Sequence, residues 1–257
     1  MTDEIQHKSS PASKPQNPIW MLLFNIVLPV IILNQGRKIV PSRLGEWGPT
    51  LALLVAISLP FFYGLFDFIK QKKVNWISLI GLLNISVTGS FALLKLHGHW
   101  FWIKEAFFPT IIGVAIFFGN RLGRPFLYSL FWNAQVFQTG KIEAAIAGQT
   151  SPNQPGNLEL KKLFIRATDL FSLSFFISAS ANFFLAMHVF LPINPLLSTS
   201  QQDAILNAQI ARMTWEGYLI IAFPMMFFTG GVLWYLIRGL RRITGLELHE
   251  ILRAEVR

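Results

Sequence analysis

The chain contains no cysteine, which excludes a disulfide framework, a thiolate nucleophile and any cysteine-ligated metal cluster. Charge is scarce as well. Only 14% of residues are Asp, Glu, Lys or Arg, and 13 acids are outnumbered by 22 bases, for a formal net charge of +9. The sequence has no glycine-rich phosphate loop, no nucleophile elbow and no zinc-protease helix motif. An enzyme acting on lipid within a membrane needs several acids or histidines gathered on one face, and this sequence does not assemble them. The expectation is a non-enzyme with no cofactor and no metal.

Hydrophobic residues fill the chain instead: they make up 53% of its 257 positions, 24 of them Phe, and the mean hydropathy is +0.47. Nearly charge-free windows of roughly 19 to 22 residues recur, each long enough to cross about 30 Å of hydrocarbon as a helix. Six are read, at 18–34, 49–69, 76–96, 101–119, 169–191 and 215–237. The first is the shortest and carries Asn25 and Pro29, so five full spans is the alternative. The expected fold is all-α, a polytopic transmembrane helical bundle arranged as three hairpins. A polar tail over 1–17, rich in Ser, Pro, Gln and Lys, is expected to be disordered and is not a cleavable signal. The membrane domain is expected over 18–238 with a cytoplasmic connector at 120–167, followed by a basic tail helix over 239–257.

A charge of +9 raises the question of nucleic acid, but the bases cluster at span ends and form no continuous patch. With six spans and a cytoplasmic amino terminus, the 22 bases divide sixteen to six. The inner face holds Lys70, Lys72 and Lys73, Arg121 and Arg124, Lys161, Lys162 and Arg166, and Arg238, Arg241 and Arg242 among others. The outer face holds Arg37, Lys38, Arg43, Lys95, Lys104 and Arg212. This positive-inside bias places both termini in the cytoplasm, with anionic headgroups of the inner leaflet as the natural counterpart of the basic residues and no nucleic acid. Tryptophans fall near the span ends, as headgroup-level anchors do.

The stretch "LKLHGHWFWIKEAFF" at 94–108 is then the outer turn between the third and fourth spans. Gly98 makes the turn, and His97 and His99 flank it; they are either headgroup-level histidines or two ligands of a zinc site that needs a third. Ionisable residues close to spans are candidate functional groups by default: Asp67, Lys73, Lys104, Glu105, Arg212 and Glu216, with Asn182 as a polar candidate inside the fifth span. Adjacent helical residues diverge by about 100°, so Lys104 and Glu105 are expected to find other partners, Glu216 or Arg212. Serines at helical spacing, Ser86 and Ser90, and Ser174 and Ser178 with Asn182, form polar stripes for close helix packing or for lining a substrate path. Pro29, Pro60, Pro109 and Pro224 are expected to interrupt their helices.

The connector begins with Phe126, Leu127, Leu130, Phe131, Trp132 and Phe137, as in a helix lying at the headgroup level, and "GQTSPNQPGN" reads as a break. "STSQQDAILNAQIARMTWE" reads as a short outer amphipathic helix with Ile205, Ile210 and Met213 on its apolar side.

Taken in order, "FNIVLPVIIL", "FDFIKQKKVN", "TGSFALL", "FWIKEAFFP", "GRPFLYSLFWN", "SASANFFLAMHVFLP" and "GLRRITGLE" resemble the bacterial intracellular septation protein A family, also called inner membrane-spanning proteins. The resemblance covers most of 18–246, with longer tails and a longer connector than in that family. It implies an inner-membrane protein of the cell envelope, a non-enzymatic scaffold with envelope or division membrane proteins as partners, and it draws attention to Lys73, Val74, Phe101, Lys104 and Pro109. A small-solute or lipid transporter built from proline-broken helices is the alternative.

Overall fold

A computed structural model describes residues 23–39, 48–71, 76–94, 96–133, 136–149 and 156–253. The polar tail, Lys73 and Val74, the loop around Arg43, Lys95 and the break at 150–155 lie outside them, as do the side chains of Asn25 and Asp67. The described chain is helical: α1 (Leu28–Ile39, entered through a π-helical turn Leu23–Val27), α2 (Gly48–Gln71), α3 (Trp76–Leu93), α4 (His99–Arg121), α5 (Phe126–Phe131), α6 (Thr139–Gln149), α7 (Gly156–Val189), α8 (Thr199–Glu216), a π-helical stretch Gly217–Ala222, α9 (Phe223–Thr244) and α10 (Leu248–Ile251). Among the described residues the only strand-like pairing is one antiparallel bridge, Phe137 with Leu252.

Three continuous helical stretches are long and apolar enough to cross a membrane: His99–Arg121, Leu158–Val189 and Thr199–Thr244. A shorter apolar stretch occupies Gly48–Tyr63 of α2. The protein is therefore a membrane-embedded helical bundle. Large apolar side chains such as Phe62, Phe66, Phe107, Phe118, Phe184 and Phe227 point outward, as they do where lipid replaces water.

The chain divides into two units. In the first, 1–96 with 193–214, α2 packs against both α1 and α3. Gly89 permits the α2–α3 approach, since a Cβ there would lie 3.1 Å from Ile57 Cδ1. The part of α8 within this unit docks on the start of α2: Asn207 Nδ2 donates to Pro49 O at 2.8 Å, and Thr50 Oγ1 donates to Asp203 Oδ2 at 3.1 Å. An acid at that position also favours the positive end of the α2 dipole. The expected amphipathic helix is thus present, but it buries Leu206, Asn207, Ile210, Ala211 and Met213 and leaves Ile205 exposed.

In the second unit, 97–192 with 215–257, α7 is the central element and packs against α4 and α9. Its most extensive packing is with α4, so neighbours in this unit are not limited to the expected hairpin partners. Gly113 lets α4 approach, with a would-be Cβ 3.1 Å from Phe175 Cβ. At 34 residues, α7 is about 51 Å long. A hydrocarbon layer needs about 20 of those residues, so its first third projects beyond the lipid, and α5, α6 and α10 fold around that projection and the end of α9. Leu127, Phe137, Ile142, Ile146, Phe164, Leu236, Leu240 and Ile251 form one apolar core there, and Phe164 meets Tyr128 and Trp132 edge-on at 5.1 and 5.7 Å. α9 ends at Gly245, whose φ of 71° suits glycine in a left-handed cap, with Gly245 N donating to Arg241 O at 2.8 Å. Residues 239–244 thus continue α9. The chain then turns into α10, which opens with a Glu247–Glu250 capping box. Gln138 N donates to Ile251 O at 2.9 Å and Arg253 N to Val136 O at 3.1 Å, tying the end of the chain to the connector.

The prolines act unequally. α2 runs through Pro60 and α4 through Pro109 without ending, which corrects the expected interruptions there. A helix held by its neighbours tolerates one missing N–H. Pro29 and Pro224 do perturb their helices, each standing two residues after a π-helical segment. The wider turn relieves the clash of the ring with the preceding carbonyl.

Candidate functional site

Polar groups within the second unit fall at three levels. Near the start of α4, Lys104 Nζ pairs with Glu105 Oε1 at 2.7 Å, with the lysine side chain 3% and the glutamate 17% exposed. This corrects the expectation that neighbouring residues cannot neutralise each other. Their Cα–Cβ vectors diverge, but the four-carbon lysine stem curls back along the helix and carries its ammonium to the next carboxylate. In the middle, Ser172 Oγ of α7 donates to Gly113 O of α4 at 2.9 Å.

At the far end of α4, Asn120 Nδ2 donates to Ile165 O at 2.9 Å and to Asp169 Oδ1 at 2.7 Å, and Arg121 Nη1 reaches Asp169 Oδ2 at 3.1 Å. The Arg121 guanidinium also lies 4.6 Å from the Phe117 ring centroid. Asp169 is therefore clamped to α4 by one buried amide and one surface cation. Both donors come from the last turn of α4, where positive charge also complements the helix dipole.

Beyond the clamp, α7 and α9 separate to leave a cleft of about 640 Å³, within the size range of small-molecule sites. Glu159, Lys162 and Arg166 line it from α7; Trp234, Arg238 and Arg242 line it from α9. The floor is apolar, formed by Leu163 and Ile243, and Gly239 sets its depth. A Cβ at Gly239 would overlap the Leu163 methyls, so only glycine lets the helices touch at that point. The Arg238 guanidinium sits 5.0 Å from the Trp234 ring centroid. None of the four cations forms an ion pair with a described residue.

Comparisons with family models, with curated proteins and with solved structures return no match. Of the residues singled out in the sequence, Lys104 and Glu105 are brought together. Asn182 turns inward on its own helix, its Nδ2 donating to Ser178 O at 2.8 Å and to Ser178 Oγ at 3.3 Å. Arg212 and Glu216 lie on α8, exposed and half-buried respectively. Asp67 lies on α2. His97 and His99 flank Gly98, whose φ is 57°, and no group of three metal-ligating side chains occurs among the described residues.

The stripe on α7 is spent locally: Ser174 Oγ donates to Phe171 O at 2.6 Å, and Ser178 Oγ accepts from Asn182 Nδ2. The bond that crosses to α4 is made by Ser172, which the stripe did not include. Sequence reasoning also passed over the cleft, although its signal is readable: Lys162 and Arg166, and Trp234, Arg238 and Arg242, recur at i, i+4 and so share a face on each helix.

Proposed function

We propose that the protein is a non-enzymatic scaffold of the bacterial cell envelope, spanning the inner membrane six times with both termini in the cytoplasm and binding other envelope or division membrane proteins. The observation that carries this reading is the cap on the second unit. The connector and the carboxyl-terminal segment fold into one packed body around the projecting ends of α7 and α9. A partner-binding protein needs a rigid face outside the lipid, and this body supplies one. The motif resemblance to the septation protein A family supports the same reading, as does the excess of Lys and Arg on the cap side.

The chain has no native cysteine, so single cysteines report sidedness cleanly. A cysteine at Lys141 should resist a membrane-impermeant maleimide in intact cells and label once the membrane is permeabilised, and one at Ser198 should label from the periplasm in intact cells. A photo-crosslinker at Glu143 or Ala144, both exposed on α6, should yield discrete adducts with membrane proteins of the envelope. Periplasmic labelling at Lys141 would overturn the topology, and absence of adducts would overturn the scaffold assignment.

A transporter is the second reading, favoured by the π-helical stretch Gly217–Ala222 ahead of Pro224, a kind of irregularity that concentrates at functional sites. Protein-dependent solute or lipid movement in proteoliposomes would favour it over the scaffold.

A further inference from the structure

The cleft between α7 and α9 combines features that surface bases do not. Two helical ladders face each other across it, four cations against one carboxylate, and the four are not neutralised by any described residue. Its position is fixed by the helices themselves. Asp169 opens the apolar part of α7, and Arg166 stands one turn below it; Trp234 is 60% exposed and stands one turn before Arg238, the first base after the apolar part of α9. Arg166, Trp234 and Arg238 therefore stand at the depth of lipid phosphates and glycerol, with Lys162 and Arg242 one turn further from the hydrocarbon. A phosphate diester needs several donors from more than one direction, and guanidinium groups supply them in a fixed fork. An indole beside that phosphate packs against the glycerol and upper acyl chain, as interfacial tryptophans do.

We infer that this cleft is a binding site for the headgroup of an anionic phospholipid. Lys162, Arg166, Arg238 and Arg242 hold the phosphate, and Glu159 accepts a hydrogen bond from a headgroup hydroxyl. Trp234 closes the side facing the acyl chains. An anionic lipid is selected over a zwitterionic one because the lining keeps an excess of three positive charges after the one carboxylate is counted. The inference needs only that these helices stand in lipid and is independent of the scaffold assignment.

The test uses the full chain in nanodiscs of phosphatidylcholine with or without phosphatidylglycerol, read by native mass spectrometry and by thermal unfolding. The wild-type protein should retain one phosphatidylglycerol through collisional activation that strips phosphatidylcholine. Arg238→Gln with Arg242→Gln should weaken that retention about thirtyfold, from roughly equal contributions of the two bases near the membrane surface, and Lys162→Gln with Arg166→Gln should act similarly. Arg238→Lys with Arg242→Lys should hold it within a few fold, and Lys141→Gln, outside the cleft, should leave it unchanged. Equal retention of the two lipids by the wild type would overturn the assignment without recourse to any variant. So would undiminished retention in both glutamine pairs. Millimolar inorganic phosphate, added to phosphatidylcholine discs, should not stabilise the protein; stabilisation matching that by phosphatidylglycerol would mean a soluble phosphoryl ligand and would also sink the lipid assignment.

Discussion

Replacing Asn120 with Asp exchanges a single heavy atom, the amide nitrogen for an oxygen, and should cost more than deleting the side chain. Asn120 is 3% exposed, and its one amide nitrogen serves two acceptors, Ile165 O at 2.9 Å and Asp169 Oδ1 at 2.7 Å. In water-soluble proteins a hydrogen bond to a charged acceptor contributes about 1.5–3 kcal/mol and a neutral one about 0.5–1.5, while interhelical bonds in lipid average nearer 0.6. Asn120→Ala loses both bonds but also removes Asn120 Oδ1, which is buried without a partner. The net cost should be about 1–2 kcal/mol.

Asn120→Asp loses the same two bonds and sets a carboxylate oxygen against two acceptors at those distances. Two like charges about 4 Å apart repel by about 4 kcal/mol at an effective dielectric of 20, of which Arg121 can screen a part. The aspartate should therefore be at least about 2 kcal/mol worse than the alanine, despite its matching shape. Unfolding in mixed micelles titrated with dodecyl sulfate, followed by far-ultraviolet dichroism, measures both. The double variant Asn120→Asp with Asp169→Asn restores a donor facing an acceptor and should recover at least half the loss. Equal stability of the two single variants, or no recovery in the swap, would refute the clamp.

Lys104→Met strands the mostly buried Glu105 carboxylate and should cost about 3–5 kcal/mol, whereas adding Glu105→Gln should recover most of it, because a buried pair is worth less than the penalty of breaking it; the same micelle titration decides. Gly239→Ala should cost about 1–3 kcal/mol through overlap with Leu163, and in the Leu163→Ala background that cost should shrink, a non-additivity read by a double-mutant cycle.

The apolar windows were legible because lipid imposes one length on anything that crosses it. The residues 101–119 lie within α4, and 169–191 fall almost wholly within α7, as the charge-free runs 106–119 and 170–187 required. The polar start of α7 was legible too, since "LELKKLFIRATDL" reads as a helical start that feeds the fifth span and α7 does run unbroken through it; that this stretch becomes the post around which a core forms was not. That core depends on Leu127 and Phe137 meeting Leu236 and Ile251 from more than a hundred positions away, a pairing no local pattern encodes. Phe126 and Leu130, read on the same helix, turned out to face outward, so α5 was correctly read as having an apolar side but not which side would be buried. Lys104 and Glu105 misled for the opposite reason, since backbone geometry was applied to a side chain long enough to escape it. The cationic ladders were visible in the sequence as i, i+4 repeats, but each was read as a topology signal on its own helix. Their convergence into one cleft needed the antiparallel packing of α7 on α9.

The unbroken length of α7 makes the cap answer to the bilayer. A rod that is anchored in the membrane by its upper two thirds, and is gripped by the cap along the rest, has no joint at which to bend. When the surrounding lipid thins, a stretch too long for its surroundings leans over, and everything fastened to the protruding stem swings with it. The orientation of the capped face is in this way coupled to the thickness of the sheet beneath it.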